Sequence, residues 1–155
     1  MAHILVVDDE EDILETLPDV LQRWGHTTFI ARNGIEGLKI YKSRPIDFVI
    51  SDIKMPEMDG LELLSKIQEI DKKSMVIFLT GYPSLDSAIN AMRAGAYDYL
   101  VKPVNLDELK LRIERGIERV EHLKVLPLLR GLNWALLVSI PLWLVLGIIL
   151  AKLLR

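Results

Sequence analysis

Residues 46–60 read IDFVISDIKMPEMDG. The apolar run Phe48-Val49-Ile50 has the near-continuous apolar character of a strand buried on both faces. Met55-Pro56 and Asp59-Gly60 are turn-forming pairs, so a loop follows at once. Asp52 therefore stands where a buried strand gives way to a loop. Carboxylates at strand ends often carry chemistry, so both fold and function turn on whether this pattern recurs.

It does. Short apolar runs occur at HILVVD (3–8), HTTFIA (26–31), IDFVIS (46–51), MVIFLT (75–80) and YDYLVK (97–102). Longer stretches with helical spacing lie between them. Ile13, Leu14, Leu17, Val20, Leu21 and Trp24 recur at i, i+3, i+4 and i+7, as do Leu61, Leu64 and Ile67. Leu106, Leu109, Ile113, Ile117 and Val120 repeat the pattern after the fifth run. Gly25 stops the first helix, and Pro18 inside it predicts a local kink. NLDE (105–108) has an Asn cap with Glu three residues on, a capping box. Five β-α repeats predict an α/β fold: a doubly wound parallel sheet with helices on both faces and right-handed crossovers.

In such a sheet, ligands bind beyond the carboxyl ends of the strands, near the point where strand order reverses. Asp8, Asp9 and Glu10 follow the first strand, and Asp52 the third. Thr80 and Gly81 follow the fourth, Lys102 and Pro103 the fifth. Singly, each has an ordinary role: Asp8 and Asp9 as helix caps, Asp52 as a turn residue, Thr80 as a loop start, Lys102 as a solvated cation. Together they place carboxylates, a hydroxyl and an ammonium on one rim. Clustered carboxylates repel unless a cation sits among them, and a hard ion such as Mg²⁺ takes oxygen ligands. A carboxylate beside it can attack phosphorus, with a lysine neutralising charge from another side.

Composition bounds the alternatives. The chain has 155 residues, 50% hydrophobic and 26% charged, with a formal net charge of −3. That acidic balance argues against nucleic acid as a direct partner. The lack of cysteine excludes disulfides and thiolate metal sites. The N-terminal run Ile4-Leu5-Val6-Val7 is too short for a signal peptide and ends in DDEED rather than a cleavage site.

The motifs VVDDE (6–10), SDIKMPEMDG (51–60) and LTGYPSLDSAINAMRAGAYDYLVKP (79–103) together resemble the response regulator receiver domain of bacterial two-component signalling. The resemblance covers residues 2 to 122. It implies a flavodoxin-like (βα)5 sheet of strand order 2-1-3-4-5. It implies that Asp52 is the phospho-acceptor, and that Asp9, Asp52 and the main-chain carbonyl of Lys54 bind Mg²⁺, supported by Asp8 through water. Thr80 and Tyr99 are then the switch pair, Lys102 contacts the phosphoryl group, and the bond before Pro103 is commonly cis. The implied donor is a sensor histidine kinase or phosphotransfer protein. The implied output is a changed surface over residues 84–122 that meets a further protein.

Two rival classes fit less well. A haloacid-dehalogenase-like phosphatase needs a second Asp two residues after the nucleophile as general acid, and that position is Lys54. The chain is therefore not expected to be a metabolic enzyme. A flavodoxin-like cofactor carrier needs a phosphate loop after the first strand, where DDEED would repel a phosphate.

The tail departs from the family. Every acidic residue lies at or before Glu121, and after Arg130 only Lys152 and Arg155 are charged. The charge-free run LNWALLVSIPLWLVLGIILA (132–151) spans about 30 Å as a helix at about 1.5 Å per residue, the thickness of a bilayer core. Trp134 sits near one end and basic residues lie beyond both. The expected organisation is a receiver domain over 1–124, a juxtamembrane linker over 125–131 and a transmembrane helix over 132–151. This would tether the receiver to a bacterial inner membrane, facing the cytoplasm. The alternative output is a scaffold or phosphate sink whose value is local concentration.

Overall fold

The computed structural model describes residues 1–119. Five strands and five helices alternate along them. They are β1 (His3–Val7), α1 (Glu11–Arg23), β2 (Thr27–Ala31), α2 (Gly34–Ser43) and β3 (Phe48–Ser51). Then come α3 (Gly60–Ile70), β4 (Met75–Thr80), α4 (Leu85–Arg93), β5 (Asp98–Val101) and α5, helical through 106–119. The expected strands are all present, most of them a residue or two shorter than their apolar runs. The sheet is parallel throughout, in the order β2-β1-β3-β4-β5.

Register explains the two-faced burial. Phe48 pairs with Met75, Val49 with Val76, and Ile50 with Ile77. Side chains alternate across a strand, so Leu5, Val7, Val49, Val76 and Phe78 share one face. There they join Leu63, Leu64 and Ile67 of α3 and Ala91 of α4 in one apolar cluster. Ile4, Val6, Phe48, Ile50, Ile77 and Leu79 take the other face and are equally buried. On that side Gly116 of α5 comes so close to the Phe48 ring that a Cβ would overlap it. Each large side chain so buried contributes about 1.5–3 kcal/mol. The three central strands are apolar on both faces because both faces are covered.

Local signals account for most element ends. Gly25 adopts φ +87°, its N–H donates to the Gln22 carbonyl, and the His26 N–H donates to that of Leu21. This left-handed cap closes α1 where a residue with a Cβ would be strained. α1 runs through the buried Pro18 without a break. Asn105 accepts from the N–H groups of Asp107 and Glu108, so the expected cap is formed. The Glu108 carboxylate is engaged with Arg112 one turn on.

One local expectation needs correction. Gly60 was the natural candidate for the tight turn after β3, but it is the first residue of α3 and packs against β3 and β4. A Cβ there would collide with the Asp52 main-chain oxygen and the Phe78 ring. The tight turn lies at Glu57, with φ +68° and the Met58 N–H donating to the Pro56 carbonyl. Close packing, not left-handed backbone, is what demands glycine at 60.

Among the described residues, no helix is long and apolar enough to cross a membrane. The boundary expected at 124, the linker 125–131 and the apolar run 132–151 lie outside the described residues.

Candidate functional site

Parallel order puts all five strand carboxyl ends on one rim, and register puts β1, β3, β4 and β5 side by side there. Asp8 follows β1 and Asp52 follows β3; each backbone N–H continues the sheet, to Ala31 and Val7 respectively. Both carboxyl groups are buried, at 1% and 6% exposure. Burial of this kind needs partners. One Asp8 oxygen accepts from the Glu10 N–H at 2.9 Å. One Asp52 oxygen accepts from the N–H groups of Ile53 at 2.5 Å and Lys54 at 3.3 Å.

The other oxygens meet on one ammonium. Lys102, just past β5, donates to Asp8 at 2.7 Å, Glu10 at 2.6 Å and Asp52 at 3.1 Å. Burial opposes its charge, but the three hydrogen bonds outweigh it and hold its pKa above the ordinary lysine value. Burial also raises the Asp8 pKa, against the lowering by Lys102 and the Glu10 N–H. Three carboxyl groups share one ammonium, two of them buried and Glu10 exposed. The all-oxygen donor set fits a hard divalent cation.

Carboxylate oxygens of Asp8, Glu10 and Asp52 lie within 4.8 Å of one another. Asp9, expected among the metal ligands, is exposed and outside this group. Glu10 was noted on the rim but given no role; nothing in its exposed, post-strand position distinguishes it from Asp9 until the fold brings it to Lys102. Lys54 enters the site by its main-chain N–H.

The remaining expected residues flank this centre. Thr80 ends β4 buried at 1% exposure, its hydroxyl accepting from the Tyr82 N–H at 3.2 Å. Its carbonyl accepts from the Lys102 N–H, which ties the lysine's backbone to β4. The Lys102–Pro103 peptide bond is cis. Tyr99 pairs with Phe78 in the sheet and packs partly buried against the apolar cluster. Its hydroxyl lies 2.9 Å from the Ser87 hydroxyl on α4, a partner that sequence spacing did not indicate. The Lys54 ammonium sits 4.7 Å from the centre of the Tyr82 ring, joining the loops after β3 and β4.

Comparison with known proteins agrees with this geometry. Residues 4–114 match the response regulator receiver domain family. The transcriptional regulatory protein ZraR of Klebsiella oxytoca is 38% identical over 116 residues, 75% of this chain and 26% of its own. Regulatory protein AtoC of Escherichia coli K12 is 37% identical over 116 residues, 75% of this chain and 25% of its own. The chain thus spans about a quarter of the length of these curated relatives. A receiver domain protein from Clostridium thermocellum superposes with a TM-score of 0.76 at 41% identity, covering 79% of this chain and 99% of that one. Response regulator TrrA of Thermotoga maritima, solved with Mg²⁺-BeF, superposes at 0.69 with 41% identity, covering 75% and 99%. With its parallel sheet, acidic rim and bridging lysine, this chain belongs to the response regulator receiver domain family.

Proposed function

We propose that Asp52 accepts a phosphoryl group from the phosphohistidine of a sensor histidine kinase or phosphotransfer protein, and that the modification changes a protein-binding surface. The observation that carries this is the Lys102 ammonium gathered with Asp8, Glu10 and Asp52 at the ends of β1 and β3. An Asp52 oxygen attacks phosphorus in line. The P–O bond forms as the P–N bond breaks, and the imidazole nitrogen keeps the electron pair. Lys102, already bonded to Asp52, offsets charge on the transferring oxygens. The acyl phosphate brings about −2 charge and new acceptor oxygens. Thr80 turns its hydroxyl to donate to one of them, and Tyr99 rotates inward to fill the space that Thr80 leaves.

A bound Mg²⁺ would supply positive charge against the phosphoryl oxygens. Asp52 and the Lys54 main-chain carbonyl would hold it, with Asp8 in support. The third carboxylate is Asp9 by family resemblance and Glu10 by proximity. Mg²⁺ titration of Asp9→Asn and Glu10→Gln separates them, because the true ligand is the one whose loss weakens binding.

The test of the acceptor is incubation of the full chain with acetyl phosphate and Mg²⁺, read by intact mass. One added phosphoryl group in the wild type and none in Asp52→Asn supports the assignment. An equal adduct in both, or none in the wild type from either acetyl phosphate or a phosphorylated kinase, overturns it.

The charge-free run 132–151 supports a further part of the proposal, that the receiver is tethered at a bacterial inner membrane and faces the cytoplasm. Flotation of the full chain with lipid vesicles tests it. Wild type should float, and Leu137→Lys with Leu144→Lys should not, since each lysine near a helix centre costs about 2.5–3.5 kcal/mol. Flotation of both, or of neither, removes the tether.

A further inference from the structure

We propose that Ser87 is a positioning residue for Tyr99, joining the tyrosine hydroxyl to the hydrogen bonds that cap α4. This rests on the assignment of Tyr99 to the switch, and adds the element through which its rotation is felt. α4 opens with Ser84, whose hydroxyl accepts from the Ser87 N–H at 3.0 Å. Ser87 answers by accepting from the Ser84 N–H at 3.1 Å. The Ser87 hydroxyl also donates to the Ser84 carbonyl at 2.9 Å, and the Tyr99 hydroxyl lies 2.9 Å from the Ser87 Oγ.

A serine hydroxyl has one proton to give and two lone pairs to receive with. Its proton goes to the Ser84 carbonyl. One lone pair takes the Ser84 N–H, and the other is left for Tyr99, which is therefore the donor. The four groups form a closed arrangement in which every hydrogen-bonding site of Ser87 is used. Tyr99 in its present rotamer completes the first turn of α4, and any rotation of the ring away from Ser87 removes one of the bonds on it.

The surroundings make that bond count. α4 buries only Ala91 and leaves Leu85 at 77% exposure, so little apolar packing holds its first turn. Tyr99 is adjacent to Phe78 in the sheet, two residues before Thr80. Withdrawal of the tyrosine hydroxyl thus loosens a turn that local hydrogen bonds largely maintain. The reverse also holds: a tighter α4 start keeps the Tyr99 hydroxyl on Ser87 and opposes rotation of the ring away from it.

Amide hydrogen exchange on the full chain tests this, read at residues 85–88 against β1 as internal reference. In the unphosphorylated state, Tyr99→Phe should speed exchange there about fivefold, the effect of losing one hydrogen bond. Ser87→Ala should speed it further, since the bonds of the Ser87 hydroxyl to the Ser84 N–H and carbonyl are lost as well, while the Ser84 hydroxyl still caps the N–H of residue 87. The double variant should match Ser87→Ala alone, and Ser87→Thr should exchange like wild type. Additive effects of the two substitutions, or a Tyr99→Phe protein that exchanges as wild type, would overturn the proposal, leaving Ser87 as a cap and nothing more. This cycle needs no phosphoryl group, so it stands or falls separately from the Asp52 assignment. With acetyl phosphate and Mg²⁺, wild type should gain the exchange rate of Tyr99→Phe while that variant changes no further.

Discussion

α1 and α4 are both amphipathic helices in the same doubly wound domain, and they are held there differently. Both end on a left-handed glycine, Gly25 and Gly95, but α1 buries Leu14, Leu17, Pro18 and Leu21. α4 buries Ala91 alone and leaves Leu85, Ile89 and Met92 at 77%, 38% and 49% exposure. Its two ends are held by hydrogen bonds: the reciprocal pair Ser84 and Ser87 at the first turn, and the Gly95 cap with the Gln68 amide donating to the Ala94 carbonyl at the last. A helix held by apolar packing moves only if a core is disrupted. One held by a few local hydrogen bonds shifts when a single bond changes. The loosely held helix is the one beside Thr80 and Tyr99, where the proposed switch acts.

The contrast can be broken most directly by truncation. Leu21→Ala should cost about 2–5 kcal/mol in urea unfolding, because the site lies against a packed sheet. Met92→Ala, at half exposure, should stay within about 0.5 kcal/mol of wild type. Equal losses would show that α4 is packed as firmly as α1.

The rim between the helices gives the next effect, of opposite sign. Asp8→Asn removes a buried like charge from beside Asp52 while keeping a polar group of the same shape. It should stabilise the metal-free protein by about 1–2 kcal/mol and weaken Mg²⁺ binding. A less stable variant would mean that the Lys102 pair outweighs the repulsion.

Ser84→Ala should cost about 1 kcal/mol, the ordinary value of an N-cap. The loss should show as faster exchange confined to α4, with α1 unchanged. Loss of protection across the whole domain would contradict the local character of α4.

The smallest expected effect belongs to the end of α1. Burial lowers the His26 pKa below its ordinary 6.5, and its Nδ1 has no hydrogen-bond partner among the described residues. The unfolded chain therefore takes up a proton that the folded one resists. Stability is full above about 6.5 and falls as pH drops through it. Unfolding at pH 7.5 and pH 5.5 should show a drop for wild type that His26→Asn reduces. An identical drop in both would assign it to the carboxylates.

Much of this was legible along the chain. Each strand was marked by a β-branched run and each rim residue by its place after one, because a parallel strand delivers its last residue to a known edge. Asp8, Asp52, Thr80 and Lys102 were legible for that reason. Glu10 was harder, since Asp9 and Glu10 share an exposed post-strand position and only the place of the Lys102 ammonium distinguishes them. Ser87 was hidden because its partner Tyr99 comes from another element and a serine on a helix has many ordinary roles. Glu57 was hidden because a non-glycine residue with positive φ leaves no compositional trace.

The sequence by itself determined the β-α alternation, the caps at Gly25 and Asn105 and the identities of the groups on the rim. These depend on local periodicity and on chemistry within a few residues. Only the tertiary structure decided that Lys102 meets carboxylates 94, 92 and 50 residues away, that Gly60 must lack a side chain, and that Tyr99 reaches α4. Those contacts join residues distant along the chain, and sheet order and register alone bring them within hydrogen-bonding reach.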